Sequence, residues 1–298
     1  MGSLSDNAQG AIFMMVSMAG FVINDTLMKL TSSELSLFQA IFLRGLLASA
    51  LLALIAYQRG ALWPDHGISD RKLVLLRMVA EIGATLCFLT ALFNMPIANA
   101  IAILQSIPLA VTLAAALFLG EHVGWRRYTA IIVGFIGVIV ILQPGSEGFT
   151  AYAFWAVAAV GFMVVRDLTT RRMTRALPSI FVALTTGVGI TLVGGAVSAT
   201  QPWAPISGEN AALLAFAAVF LILGYLFGVM AMRHGEIGFV SPFRYTILLW
   251  AMVLGAIVFG EIPDVMMLIG SAIVVATGVY TFYRERRLRL ESVGQRVR

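Results

Sequence analysis

Ten stretches of mostly apolar residues follow one another along this chain, each roughly 16 to 24 residues long and separated by short polar segments. An α-helix that rises about 1.5 Å per residue needs about 20 such residues to cross a hydrocarbon layer of about 30 Å. The pattern predicts ten membrane-spanning helices, at residues 11–29, 36–57, 73–94, 97–119, 128–143, 151–166, 179–199, 211–232, 237–260 and 265–283.

The composition supports a membrane protein. Apolar residues make up 60% of the chain and charged residues 12%, and the mean hydropathy is +0.93. An ordinary soluble domain has about 25% charged residues. The predicted fold class is an all-α integral membrane protein with ten spans.

Basic residues outside the spans concentrate on one side of the membrane. Sixteen of the twenty Lys and Arg residues fall in the even loops or the C-terminal tail, whereas Lys29 stands alone on the other side. An excess of positive charge marks the cytoplasmic face. We therefore expect a bacterial-type inner membrane protein with both termini in the cytoplasm. The net charge of +5 reflects this topology and contact with anionic lipid, and it does not indicate nucleic-acid binding.

The ends of the chain and its single cysteine carry further expectations. No Lys or Arg occurs in residues 1–28, so we expect no cleaved signal peptide and a retained first span. Cys87 lies within the third span and is the only cysteine, which excludes an intrachain disulfide and a thiolate metal cluster. Residues 285–298 are expected to form a basic cytoplasmic tail.

The sequence also repeats itself. A shift of 140 residues places Gly120 and Glu121 on Gly260 and Glu261, and one further residue places Phe21 on Phe162. We infer two five-span copies, at residues 1–145 and 146–284. Because each copy has an odd number of crossings, the copies have opposite orientations. Inverted repeats around a central cavity are typical of secondary transporters that work by alternating access.

In these features the chain resembles the drug/metabolite transporter superfamily, in its ten-helix EamA branch. The residues that carry the resemblance are Phe42-Leu-Arg44, Ala91, Pro108, Gly120-Glu121 and Gly137 in the first copy, and Ala231, Ser241-Pro242, Gly260-Glu261 and Gly278 in the second. The resemblance implies movement of small metabolites through a central cavity, and the YddG-like members of the family are similar to amino-acid exporters. Arg77 and Glu81 of span three match no motif of the family.

Five charged residues lie within the predicted spans, where a central charge costs about 2.5–3.5 kcal/mol and normally faces a cavity or a partner. They are Asp25, Arg44, Arg77, Glu81 and Arg244. Arg77 and Glu81 are four residues apart on one helix face. They form an intrahelical pair, or Arg77 extends to the headgroups and leaves Glu81 to bind an ammonium group or a proton.

The roles of the charged residues Arg44 and Asp25 can be interpreted in more than one way. Arg44 is expected to orient or pack its helix, with Asp25 as a partner. Asn24 and Asp25 are either part of a gate that binds substrate or an interfacial helix end.

Arg244 is the strongest candidate for substrate binding. It lies in a proline-broken turn with Ser241, Pro242 and Tyr245, and a guanidinium beside hydroxyls suits a carboxylate held by two hydrogen bonds. The alternative is a structural lock with a helix carbonyl or Glu81. Span four offers the counterpart, Gln105 and Pro108. Gln105 and Tyr245 are equivalent under the 140-residue shift, so we expect both to face the central axis.

The remaining candidates are acidic or aromatic. Glu121 and Glu261 end their spans and are expected to be structural, each near the positive start of a helix. Tyr225 and Trp250 either line an apolar cavity or pack in the core. Trp125, at the border of a span, is expected to anchor the chain at the membrane interface.

These observations favour a secondary transporter. The chain has no ATP-binding loop of the Gly-x-x-x-x-Gly-Lys-Ser/Thr type, no His-Glu-x-x-His metal motif and no Gly-x-Ser-x-Gly elbow, so we expect gradient-driven transport, no enzymatic activity, no cofactor and no metal. Amino acids are the first substrate class. A cofactor-like solute such as S-adenosylmethionine or riboflavin is the alternative within transport, and an intramembrane enzyme or a receptor is the alternative outside it. The expected partners are the solute and the lipid bilayer, and both a monomer and a homodimer remain open.

Overall fold

The computed structural model of the chain describes residues 5–64, 68–120, 124–145, 150–174, 177–234 and 236–296, and it describes side chains over the same ranges except at 68, 69, 237, 238 and 285–296. All regular elements within these ranges are helical. Helices α1 to α12 cover, in order, Asp6–Leu30, Leu37–Gln58, Ile68–Asn94, Ile97–Leu104, Ile107–Leu119, Trp125–Leu142, Ala153–Arg172, Ser179–Ser198, Gly208–His234, Ile237–Val240, Thr246–Phe259 and Val265–Arg296.

Ten segments within the described ranges are long and apolar enough to cross a membrane. The prediction of an all-α protein with ten spans is therefore confirmed. The fifth and sixth spans, predicted as the shortest, are complete at 18 and 20 residues. The last helix, α12, continues beyond its apolar part to Arg296, so the backbone of the basic tail extends the tenth span.

The predicted end of the sixth span is wrong. The sequence places its end at residue 166 and a loop from there to 177, but α7 continues to Arg172. Two charged residues, Arg166 and Asp167, thus lie inside the helix. Hydropathy falls at these positions, yet the helix continues because their side chains are paired, as described below.

The fourth and ninth spans are interrupted. In the fourth, α4 ends at Leu104 and α5 begins at Ile107. In the ninth, a 3-10 segment, Ser241–Tyr245, separates α10 from α11. Pro108 lies in the first turn of α5 and Pro242 in the first turn of the 3-10 segment, positions where a missing backbone N–H is tolerated.

The helices that follow the two interruptions end in the same way. Gly120 closes α5 with φ 66°, and Gly260 closes α11 with φ 67°. This left-handed conformation is readily adopted only by glycine. The two residues are equivalent under the 140-residue shift, so the repeat extends to the backbone conformation at this point.

The chain divides into two compact units. Unit 1 contains Met1–Val22, Pro96–Thr150 and Leu223–Arg298, and unit 2 contains Ile23–Met95 and Ala151–Ile222. In unit 1, α6 packs along α12 and α4 packs against α11. In unit 2, α3 packs along α7 and α2 along α8. Each unit takes helices from both predicted repeats, so the division at residues 145 and 146 does not separate the units and remains a prediction about the repeat.

Candidate functional site

The two interruptions lie in unit 1 and at equivalent positions of the predicted repeats. Gln105 and Ser106 separate α4 from α5, and Tyr245 ends the 3-10 segment before α11. The 140-residue shift places Gln105 on Tyr245. Paired breaks in corresponding spans are typical of binding sites in transporters, because a broken helix exposes backbone polar groups that lie near mid-membrane.

The break in the fourth span is stabilised by its own side chains. Ser106 is buried and donates a hydrogen bond to the Ile103 carbonyl at 2.7 Å. The side-chain amide of Gln105 donates to the Ile101 carbonyl at 3.1 Å. These bonds satisfy carbonyl groups at the end of α4, and Gln105 and Pro108 are both half-buried.

The side chains at the break in the ninth span differ in burial. Ser241 and Tyr245 are buried, Pro242 is half-buried and Arg244 is exposed. The sequence groups Ser241, Arg244 and Tyr245 at one site, and the structure buries the two hydroxyl-bearing residues while Arg244 remains exposed. A joint role of these three residues in binding remains a prediction.

Tyr245 is held by the last helix of unit 1. Its ring packs on Gly278 of α12, where an added Cβ atom would overlap the phenolic oxygen. The ring also meets Phe282 edge to face, with centroids 6.5 Å apart. Among the described residues its buried hydroxyl has no hydrogen-bond partner. Buried polar groups in folded proteins are almost always hydrogen-bonded, so this hydroxyl marks the break as a candidate binding position.

Tyr225 and Trp250 are not buried in a core. Their exposed fractions are 47% and 40%. The Tyr225 ring meets Phe21 edge to face, with centroids 5.3 Å apart. Of the two interpretations drawn from the sequence, core packing does not fit these positions.

A hydrogen-bonded chain of polar groups links α1 to α2 in unit 2. Arg44 donates from Nη1 to Asn24 Oδ1 at 3.1 Å, and Asn24 donates from Nδ2 to Asp25 Oδ1 at 2.9 Å. Arg44 and Asn24 are both buried. The expected partnership of Arg44 with Asp25 thus runs through the amide of Asn24, which agrees with a helix-orienting role for Arg44.

A second group in unit 2, which we call the charged cluster, consists of Arg77 and Glu81 of α3 and Arg166 and Asp167 of α7. Arg77 approaches Glu81 at 3.5 Å, and Arg166 reaches the same carboxylate at 3.1 Å. Arg166 also binds Asp167 at 2.8 Å. The intrahelical pair predicted from the sequence is present, but the shorter ion pair joins two helices.

Two threonine hydroxyl groups accept hydrogen bonds from Arg77 of the charged cluster. Arg77 donates from Nε to Thr170 at 3.0 Å and from Nη1 to Thr186 at 2.8 Å. Arg77 therefore contacts α7 and α8 of unit 2 through these hydroxyls, and its reach to the headgroups stays a prediction. The cluster contains two positive and two negative side chains, which keeps its net charge at zero within the spans.

Sequence reasoning missed Arg166, Asp167, Thr170 and Thr186. The first two were assigned to a loop because hydropathy declines there. One signal was available: with the register that aligns Phe21 and Phe162, Arg166 falls on Asp25, which is itself an intramembrane charge.

Glu261 holds a helix start. Its Oε2 accepts a hydrogen bond from the backbone N–H of Ile97, the first residue of α4, at 2.8 Å. A carboxylate is favoured at this positive end of a helix. The structural expectation for Glu261 agrees with this contact, although the helix that it caps belongs to the other repeat. Glu121 lies outside the described residues.

Comparisons with known proteins identify relatives over most of the chain. The model of the EamA-like transporter family matches residues 8–143 and 150–283. An S-adenosylmethionine uptake transporter of Rickettsia felis is 26% identical over 282 residues, covering 93% of this chain and 94% of that protein. The pseudopaline exporter CntI of Pseudomonas aeruginosa is 26% identical over 278 residues, covering 89% and 93%. A riboflavin transporter of Vibrio cholerae is 26% identical over 293 residues, covering 95% and 96%.

A solved crystal structure supports the fold. It superposes on this chain with a TM-score of 0.64 at 16% identity, and it covers 93% of this chain and 98% of its own. At this identity the likeness concerns the fold alone.

Proposed function

This chain belongs to the EamA-like transporter family, and we propose that it carries a cofactor-sized organic solute with a carboxylate group, S-adenosylmethionine being the first candidate. Relatives that are named for S-adenosylmethionine, pseudopaline and riboflavin support a solute larger than a free amino acid. They include an uptake transporter and an exporter, so family membership sets no direction of transport.

The observation that carries the proposal is the pair of interrupted spans in unit 1. A helix interruption at membrane depth costs free energy unless protein, water or a ligand satisfies its polar groups. The break at Gln105 is satisfied by local side chains, whereas the break at Tyr245 contains a buried hydroxyl without a described partner. We therefore assign solute binding to the ninth span.

Within this break we assign Arg244 to the carboxylate of the solute. A guanidinium binds a carboxylate through two parallel hydrogen bonds, a geometry that an ammonium group does not reproduce. Arg244 is exposed, which leaves its side chain accessible to a solute. Tyr245 is proposed to contribute its hydroxyl to the same solute or to a bound water molecule.

The mechanism that we propose is secondary transport. The chain lacks a phosphate-binding loop for ATP, so we propose that a solute or ion gradient drives transport. In the charged cluster, Glu81 pairs with two arginines, and we propose that these pairs rearrange during the transport cycle. A free amino acid is the second candidate, because S-adenosylmethionine carries the same α-amino acid group that Arg244 would bind. Riboflavin has no carboxylate, so dependence on Arg244 distinguishes it from both.

The test is uptake of labelled S-adenosylmethionine into proteoliposomes that contain the purified chain. Decarboxylated S-adenosylmethionine, methionine and riboflavin serve as competitors. We expect S-adenosylmethionine to compete best and its decarboxylated analogue to compete poorly. Arg244→Lys should weaken the apparent affinity about tenfold, because the charge stays but the paired hydrogen bonds are lost.

The controls distinguish a wrong choice of solute from a wrong role for Arg244. Arg233→Gln removes an exposed arginine in the last turn of α9, and transport should persist in this variant. Arg244→Ala should reduce transport of S-adenosylmethionine more than transport of the decarboxylated analogue. Equal losses for the two solutes, in correctly inserted protein, would exclude the carboxylate role. Proteoliposomes that move none of the solutes would contradict the proposed function itself.

A further inference from the structure

A groove of about 450 Å³ lies between α6 and α12 in unit 1. Its walls are formed by α6 from Trp125 to Val133 and by α12 from Ala276 to Tyr280. The groove follows α6 for about two turns, or about 12 Å, starting from the end of the span. None of the residues proposed above for solute binding contributes to it.

One end of the groove has the chemistry of a membrane interface. Trp125 and Tyr280 flank it, with exposed fractions of 72% and 41%. Aromatic side chains with a polar tip concentrate where acyl chains meet headgroups. The guanidinium of Arg126 lies 5.4 Å from the centre of the Trp125 ring, so the cation stacks at this end of the groove.

The other end is apolar and formed by small side chains. Ala130, Val133 and Ala276 line it, and their size leaves the concavity open. The Thr129 hydroxyl donates to its own helix, at the Trp125 carbonyl, and so offers no donor to the groove. In a span exposed to the membrane, such a surface fits an acyl chain.

Positive charge at the interfacial end of the groove favours a lipid with a negatively charged headgroup. Across the described part of the chain, the guanidinium of Arg126 meets no carboxylate and stacks on the Trp125 ring. Arg284 follows Tyr280 by four residues on α12 and so lies on the same helix face. Two cations thus accompany one apolar groove, which is the complement of an amphiphile with a negative head.

We propose that this groove binds an anionic phospholipid. Arg126 receives the phosphate through two hydrogen bonds, and one acyl chain lies along Ala130, Val133 and Ala276. A phospholipid with net negative charge is preferred over phosphatidylcholine, whose own ammonium group compensates the phosphate. The site concerns the membrane around the protein, and its test needs no transported solute.

The experiment uses Trp125 as a reporter. The full chain is placed in phosphatidylcholine nanodiscs with a small fraction of dibrominated phosphatidylglycerol, or the same fraction of dibrominated phosphatidylcholine. Bromine quenches tryptophan fluorescence at short range. Subtracting the signal of Trp125→Phe isolates the contribution of Trp125 from those of the other four tryptophans. We expect stronger quenching of this contribution by phosphatidylglycerol.

Variants test the head and the groove separately. Arg126→Gln should weaken the apparent affinity for phosphatidylglycerol about fivefold, the factor expected when one basic contact with an anionic headgroup is lost. Arg71→Gln, which removes an exposed arginine from α3, should leave the preference unchanged. Ala276→Leu should fill the groove and reduce quenching by both lipids without lowering the melting temperature.

Three results would overturn the proposal. Equal quenching of Trp125 by the two brominated lipids would show that no headgroup is selected. A preference for phosphatidylglycerol that persists in Arg126→Gln would remove the arginine from the site. In a Cys87→Ser background, efficient crosslinking of Ala276→Cys between two copies in the membrane would show that protein, and not lipid, covers the groove.

Discussion

Arg166 of α7 donates from Nη1 to Oε1 of Glu81 in α3, at 3.1 Å. This bond joins two helices of unit 2 through side chains that are only 20% and 12% exposed. Glu81 thus lies between two arginines, one on its own helix and one across the interface. With Asp167, which also binds Arg166, the carboxylate balances the two arginines within unit 2.

We predict that Glu81→Gln lowers the stability of the folded protein. Removing one partner of a fully buried pair costs about 3–5 kcal/mol, and the partial exposure of these side chains reduces the expected cost to about 2 kcal/mol. The measurement is thermal unfolding in detergent. The double variant Glu81→Gln/Arg77→Gln should recover most of the loss, because it also removes Arg77, whose ion pair is with Glu81, whereas Arg166 keeps its pair with Asp167.

The same variants decide between a structural and a transport role for Glu81. If Glu81→Gln keeps the melting temperature of the unmodified chain but loses transport or its pH dependence, the carboxylate acts on solute or protons. Recovery of stability without recovery of transport in the double variant would show that both roles are present.

Gly278 is predicted to be intolerant of a side chain. A Cβ atom there would overlap the Tyr245 hydroxyl, so Gly278→Ala should cost about 1–3 kcal/mol through overpacking. Gly161→Ala is the matched control, since no atom of the described residues lies within 4 Å of a Cβ at that helical position. The control should be neutral or up to about 1 kcal/mol more stable. Similar melting temperatures for the two variants would contradict the packing of Tyr245 on Gly278.

Glu261→Ala is predicted to loosen the start of α4. The loss of a helix-capping acceptor costs about 1 kcal/mol, whereas Glu261→Gln keeps an acceptor oxygen and should cost less. Glu209→Ala, in the first turn of α9, provides an acidic control at an exposed position. Hydrogen exchange at Ile97 and its neighbours should increase in Glu261→Ala alone, and equal exchange in all three variants would contradict the capping role.

The orientation of the chain remains a prediction from its basic residues. In a Cys87→Ser background, Ser207→Cys should react from outside intact cells with a membrane-impermeant thiol reagent. Met173→Cys, at the end of α7, should react only after the membrane is permeabilised. Labelling of position 173 in intact cells would reverse the topology.

The spans were predictable because length and hydropathy determine which segments cross a membrane, and tertiary packing changes little in that choice. The sequence predicted the end of the sixth span wrongly, because α7 continues to Arg172. An average over neighbouring residues does not distinguish a charge in a loop from one paired inside a helix. Arg166 was recognisable only from its equivalence to Asp25 in the repeat.

The direction of each side chain was not predictable from local sequence. Arg244 and Tyr245 are neighbours, yet one is exposed and the other buried. Tyr245 points where it does because Gly278, 33 positions later in the sequence, leaves space for its ring. Contacts of this kind depend on which helices meet, and the hydropathy pattern does not contain that information.

The bond between Glu261 and the start of α4 has a consequence for the biogenesis of the chain. Its two partners are 164 residues apart, and Ile97 is fully buried. During synthesis the fourth span enters the membrane long before residue 261 leaves the ribosome. The peptide N–H of Ile97 then lacks this acceptor until Glu261, two residues after the end of the ninth span, has been synthesised. The two halves therefore mature together, and a nascent chain truncated before this residue stays incomplete in its first half.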